Sequence, residues 1–233
     1  MKKIAIVTGA NSELAQETFN ILKRNDIKVV VLYHNKSLIT NCDYLLKCDL
    51  TNEDEVKETF FKIAKKYPKI NYLINIASLS LDDDILNKSG KDFLKVMNVN
   101  VVGSFLAIKY AIPMLENGVI INISSTDGID TGHIYNIDYS ASKSALNTMT
   151  SLLSKRFDNC KIVALAPNYI DTFSTRSMNQ NFLIDEMARI NQKRLLSVKE
   201  VAQKIYDLLL DKDLPSGSII RMDGKKWMNI IKN

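Results

Sequence analysis

Seven apolar runs of strand length recur along the chain, most of them separated by enough residues for a helix: KIAIVT (3–8), KVVVLY (28–33), YLLKC (44–48), NYLINIA (71–77), GVIINIS (118–124), KIVALA (161–166) and SIIRM (218–222). Most are continuous rather than alternating, which is the pattern of parallel strands covered by helices on both faces. The segments between them carry helical spacing. Leu14, Thr18, Ile21 and Leu22 mark one stripe, and Val56, Phe60, Ile63 and Ala64 mark a second. Leu146, Met149, Leu153 and Phe157 share one face of 138–157, and the stretch 88–116 supplies a further crossover. This βαβ series predicts an α/β fold with a doubly wound sheet, in a single domain over residues 1–233. The one long irregular stretch, about 167–180, follows a strand, where such folds place ligand contacts.

Composition removes several alternatives. With 233 residues, 46% hydrophobic and 24% charged, the chain can bury a substantial core and does not read as disordered. A net charge of +5 invites a nucleic-acid partner, but the lysines are scattered among acids, as in NEDEVKETFFKIAKKYPK, so none is expected. The start MKKIAIV ends its apolar run at Thr8-Gly9, short of the ~7–15 residues of a signal-peptide core. No later run approaches the ~20 residues of a membrane span, so no membrane partner is expected. Cys42, Cys48 and Cys160 are odd in number and lack metal-ligand spacing, which suits reduced thiols in a cytoplasmic protein.

Two stretches carry chemistry. TGANSELA (8–15) follows the first strand and opens a helix, the place for a phosphate-binding turn, although only Gly9 remains of the glycines such a turn uses. In YSASK (139–143), a helix puts Tyr139 and Lys143 on one face. Bringing a phenol from a pKa near ~10 to ~7 takes about 4 kcal/mol. One positive charge ~4 Å away supplies about that much at an effective dielectric of ~20. Upstream, GVIINISSTDG delivers Ser124 and Ser125 at a strand end.

In combination, TGANSELA, NIAS (75–78), VNVVGSF (99–105), NISSTDG, YSASK, APNYIDT and IIRMDG resemble the short-chain dehydrogenase/reductase family, in its motif order and across essentially the whole chain. The resemblance implies a Rossmann-like, seven-stranded, mostly parallel sheet with helices on both faces. It implies an NAD(P)-dependent oxidoreductase that transfers hydride between nicotinamide and a small carbonyl or alcohol substrate, without a metal. Tyr139 would be the general acid or base. Lys143 would lower its pKa and hold the nicotinamide ribose, and Ser125, rather than Ser124, would hydrogen-bond the substrate oxygen. Asn100 would hold a relay water behind the lysine. On the cofactor side stand Gly9, Asn11, Ser12 and Leu14 at the turn, Asp49 with Leu50 at the adenine, Asn75 and Ala77 at the ribose, and Ile170 and Thr172 at the carboxamide.

The second strand ends in Tyr33, His34, Asn35 and Lys36, with no acid to bind a ribose 2′-hydroxyl. NADP(H) is therefore preferred and NAD(H) possible, with His34, Asn35 and Lys36 at that end. Glu13, Ala15, Ile76, Ser78 and Asn168 depart from the family pattern. Glu13 is expected to point into solvent, and Asn168 to tolerate left-handed backbone in place of glycine. Tyr169, Phe173, Arg176, Phe182 and Arg189 populate the substrate region. The family implies a homodimer or homotetramer, with the long helices and the C-terminal segment at interfaces. The alternative of another class is a dinucleotide sensor or scaffold that has lost turnover.

Overall fold

The structure is a computed structural model that describes residues 2–35, 37, 39 and 42–223. In chain order its elements are β1 (Ile4–Thr8), α1 (Glu13–Arg24), β2 (Lys28–Tyr33), β3 (Tyr44–Lys47), α2 (Glu53–Lys66), β4 (Ile70–Asn75), α3 (Gly90–Met97), α4 (Gly103–Ala111), β5 (Leu115–Ile123), α5 (Ile137–Arg156), β6 (Cys160–Pro167), α6 (Phe173–Arg176), α7 (Gln180–Arg189), α8 (Val198–Leu210) and β7 (Ile219–Met222). The seven strands form one sheet in the order β3-β2-β1-β4-β5-β6-β7, and every neighbouring pair is parallel.

Strand residues alternate between two cores, as the period of two requires. Ala5, Val7, Val29, Val31, Ile74 and Ile121 join α1 and α8 on one face. Ile4, Ile6, Val30, Leu32, Leu73 and Ile120 join α2 and α4 on the other. The helices start where short polar side chains can accept from their first amides: Ser12 caps α1, Asn52 caps α2, and Ser197 with Glu200 forms a capping box on α8. β1 sits between β2 and β4, so the chain reverses its direction of travel across the sheet there and opens a crevice at the carboxyl ends of these strands. Gly9 turns that corner at φ +76°, and a Cβ there would stand 2.7 Å from the Ala77 nitrogen.

Three local expectations change. The stretch 88–116 is not one α-helix, because a π-helical turn at Asn98–Val102 separates α3 from α4. The region 167–180 contains the single turn of α6. The helical stretch Gly90–Met114 is long and apolar enough to cross a membrane, contrary to the reading that no run approaches that length. Its apolar content matches its place in the core, where Leu106, Ala107, Ile108 and Ala111 pack with the sheet.

Candidate active site

The crevice is a cleft of about 500 Å³ that reaches from Gly9, Asn11, Ser12 and Leu14, past Ala77 and Ser78, to Ser125, Tyr139 and Lys143, and on to Ile170 and Thr172. Four elements build its floor. Thr8 Oγ1 accepts from the Ile76 and Ala77 amides (3.0 and 3.1 Å), joining the first turn to the end of β4. After β5, Ser125 caps a short 3₁₀ turn by accepting from the Asp127 amide at 3.1 Å. That turn packs closely on α5, since a Cβ on Gly128 would meet the Lys143 carbonyl carbon at 2.5 Å.

Tyr139 and Lys143 lie one turn apart on α5 and face the cleft together. The Lys143 ammonium is buried, donates to the Ile123 carbonyl at 2.8 Å, and stands 5.3 Å from the centre of the Tyr139 ring. Removal from water pushes the lysine down to about 7, against the field of Asp127. The same removal, with the Asp127 carboxylate, pushes the Tyr139 phenol well above its ordinary value, while hydrogen bonds with Ser125 and Ser78 pull it the other way. The expectation that Lys143 holds the phenol low is therefore reversed here. Burial and the Asp127 carboxylate set the direction, and the Lys143 ammonium gives its hydrogen bond to the Ile123 carbonyl. The phenol is therefore held in its protonated form, the form a general acid needs, beside a lysine poised near neutrality.

Ser124 and Ser125 separate by partner. Ser124 donates to the Lys143 carbonyl at 3.3 Å, whereas Ser125 reaches the phenol. Asn100 is fully buried in the π-helical turn and clamps the backbone of one residue from both sides: its Oδ1 accepts from the Leu79 amide at 2.7 Å and its Nδ2 donates to the Leu79 carbonyl at 2.9 Å. Nδ2 also donates to Ser142 Oγ, which in turn donates to the Tyr139 carbonyl. Asn100 thus fixes the loop carrying Ser78 against the tyrosine helix, and it does not line the cleft. Nor does Asn75, which donates to Asn122 Oδ1 at 2.9 Å inside the sheet. Leu50 is a core residue on the α4 side. His34 and Asp49 meet each other, Nε2 to Oδ2 at 3.5 Å, beyond the ends of β2 and β3, while Asn35 is exposed. Lys36 lies outside the described residues.

Glu13 does not point into solvent. Its Oε1 accepts from Arg176 Nη2 at 2.7 Å and its Oε2 accepts from the Phe173 amide at 2.6 Å, so it spans from the first turn to α6 across the mouth of the cleft. Arg176 also holds Asp171 at 2.9 Å. Glu13→Gly is expected to release this strap, speeding amide hydrogen exchange at Phe173 and Arg176 roughly threefold or more. Unchanged exchange would show that other contacts hold α6. Asn168 is not in left-handed backbone; among the described residues only Asp26, Asn117 and Asn191 are non-glycine residues with positive φ. It is buried, and its Oδ1 accepts from Thr126 Oγ1.

Sequence reasoning missed the acid behind the tyrosine. Asp138 is wholly buried, pairs with Lys88 at 2.8 Å, and accepts from the Tyr139 amide at 2.9 Å. Fifty residues separate the partners, and no local pattern marks them.

The profile of the short chain dehydrogenase family matches residues 3–183. Among curated proteins, the chain is 29% identical to the 3-oxoacyl-[acyl-carrier-protein] reductase FabG of Thermotoga maritima, over 95% of this chain and 96% of that one. It is also 29% identical to carbonyl reductase family member 4 of Danio rerio, over 96% and 98% respectively. Among solved structures, ElxO with NADP bound superposes with a TM-score of 0.83 at 27% identity, covering 96% of this chain and 98% of that one. With a family match over most of its length and a parallel seven-stranded sheet that opens on a tyrosine–lysine pair, the chain belongs to the short-chain dehydrogenase family.

Proposed function

We propose that the protein is an NAD(P)-dependent oxidoreductase that reduces a small carbonyl compound, or oxidises the corresponding alcohol, with Tyr139 as the general acid or base. The observation that carries this reading is the convergence of Tyr139, Ser125 and Lys143 at the floor of a cleft that starts at the Gly9 turn. The residues present suit a dinucleotide. Gly9 lets the turn pack against the Ile76–Ala77 backbone, where a Cβ would collide, and so places the first turn of α1, with its main-chain amides and the positive end of its dipole, at the cleft. Gly9, Asn11, Ser12 and Leu14 would hold the diphosphate, Ala77 the ribose side, and Ile170 and Thr172 the nicotinamide end.

A bound reduced nicotinamide supplies a hydride to the carbonyl carbon. The chain's own groups handle the oxygen. Ser125 donates to the carbonyl oxygen and orients it, and Tyr139 gives that oxygen a proton as negative charge develops on it. The protonated form of Lys143 favours the phenolate that this leaves, and the hydrogen bond from Ser78 supports the same charge. Asn100 acts through the Leu79 backbone by keeping Ser78 near the phenol. In the oxidising direction the same groups run in reverse.

For the cofactor, NADP(H) is the preferred form. Support comes from the absence of an acid at Tyr33–Asn35 and from the NADP held by the similar ElxO. Asp49, 3.5 Å from His34, moderates the preference by placing a carboxylate at that end. Fluorescence titration is expected to give a several-fold lower Kd for NADPH than for NADH, and NADPH oxidation is expected with a panel of simple aldehydes and ketones. Tighter binding of NADH would reverse the preference, and binding of both nucleotides with no oxidation across the panel would favour the sensor reading. A homodimer or homotetramer suits the exposed Leu94 on α3, Val102 in the turn leading into α4, Phe105 on α4 and Leu152 on α5. The C-terminal segment lies partly outside the described residues. The free thiols suit a cytoplasmic setting.

A further inference from the structure

Beyond Tyr139 the cleft is lined by Ser80, Asp82, Asp127, His133, Asn136 and Tyr169. Two of these are carboxylates, and among the described lining residues only Lys143, at the reacting centre, carries an ammonium or guanidinium. Among the described residues, three further cations near this end are each matched by an acid. Arg176 is held by Glu13 and Asp171, Arg189 by Glu186 at 2.7 Å, and Lys88 by Asp138. Asp127 is met instead by a hydroxyl and an amide, from Thr131 and Asn136, each at 2.8 Å. The field of these acids is felt at both phenols of the site. Asp127 and Asp82 help to raise Tyr139, and after burial they and Glu186 help to raise Tyr169.

His133 gives this end a second character. Its side chain is 5% exposed, yet it lines the cleft. Its Nδ1 accepts from the Tyr135 amide at 3.3 Å, which assigns the proton of the neutral ring to Nε2. That Nε2 faces Asp82 Oδ2 at 4.0 Å, too far for a direct hydrogen bond. A hydroxyl oxygen between the two can accept from Nε2 and donate to the carboxylate at normal lengths, whereas a substrate carboxylate or phosphate there would face Asp82 with no proton to offer. Asp82 Oδ1 already accepts from Ser80 Oγ at 2.6 Å, which holds the carboxylate in this orientation. Phe182 packs edge-on against His133, with ring centres 5.3 Å apart, and backs the imidazole with an apolar wall.

We infer that this end of the cleft takes an uncharged carbonyl compound bearing hydroxyl groups, seated on His133 and Asp82, and turns away carboxylates and phosphates. The inference rests on the oxidoreductase reading and names its substrate class. Specificity of this kind combines an attractive pair with like-charge repulsion.

The test compares dihydroxyacetone with dihydroxyacetone phosphate, which differ only in the anionic group. Their reduction by NADPH is measured, and both are titrated calorimetrically into the NADP⁺-loaded protein. The expected kcat/KM favours dihydroxyacetone by about tenfold or more. Asp82→Asn is expected to shrink that ratio at least about threefold, chiefly through KM. Equal kcat/KM for the two compounds, or a ratio indifferent to Asp82→Asn, overturns the inference. If neither compound nor any panel carbonyl is reduced, the oxidoreductase reading fails, and the calorimetric order still decides this one. Binding of the neutral compound in preference supports it, and tighter binding of the phosphate, or binding of neither, overturns it.

Discussion

Tyr139→Phe is expected to lower turnover by roughly 10²–10⁴-fold while leaving NADPH affinity close to that of the unaltered protein. The substitution removes one oxygen from a ring that is otherwise held in place, because α5 is fixed by the buried pair behind it and by the packing of Gly128 on Lys143. What is lost is the proton that the carbonyl oxygen needs. Ser125 cannot replace it, since a serine hydroxyl gives up a proton far less readily than a phenol. Kinetics and fluorescence titration on the same preparation check the two halves of the expectation. Retention of more than about a tenth of the rate would remove Tyr139 from the chemistry.

The second large effect is structural. Lys88 and Asp138 are side chains 2% and 0% exposed, and breaking a buried pair from one side leaves a charge without a partner, at a cost of about 3–5 kcal/mol. Lys88→Met is therefore expected to lower the melting temperature by roughly 10 °C or more in a domain of this size. Lys88→Met with Asp138→Leu should recover much of that loss, because it removes both charges together. The double variant still lacks the carboxylate that accepts from the Tyr139 amide, so its turnover is expected to stay below that of the unaltered protein. Scanning calorimetry of the single and double variants decides this. A single variant that melts within about 2 °C of the original would mean that Asp138 finds other donors.

The architecture was legible because its cause is local. Continuous apolar runs such as KVVVLY admit burial on both faces and little else, and stripes such as Val56–Phe60–Ile63 show which way each helix turns. The reacting pair was legible for the same reason, since Tyr139 and Lys143 are one turn apart on one helix. What the sequence hid was set by groups brought together from far along the chain. Whether Glu13 meets water or Arg176 depends on where α6 lands, 160 residues later. The expectation for Tyr139 failed on a quantity that no spacing reports, namely how much water burial removes from the phenol and from Lys143. Asn75 and Asn100 carry motif-like neighbours in sequence, yet in the fold they are spent on the interior, one across the sheet to Asn122 and the other on Leu79.

The central claim is that this cleft moves a hydride from nicotinamide to carbonyl carbon with Tyr139 supplying the proton. Its most direct test uses NADPH deuterated at the transferring position, incubated with the protein and dihydroxyacetone or a simple ketone, with the product examined by mass spectrometry. The account predicts an alcohol one mass unit heavier from the unaltered protein, with the label on the former carbonyl carbon, and about a hundredfold less or lower from Tyr139→Phe at equal bound NADPH. Bound NADPH with no labelled alcohol from any carbonyl compound, or equal labelling by Tyr139→Phe, would contradict it.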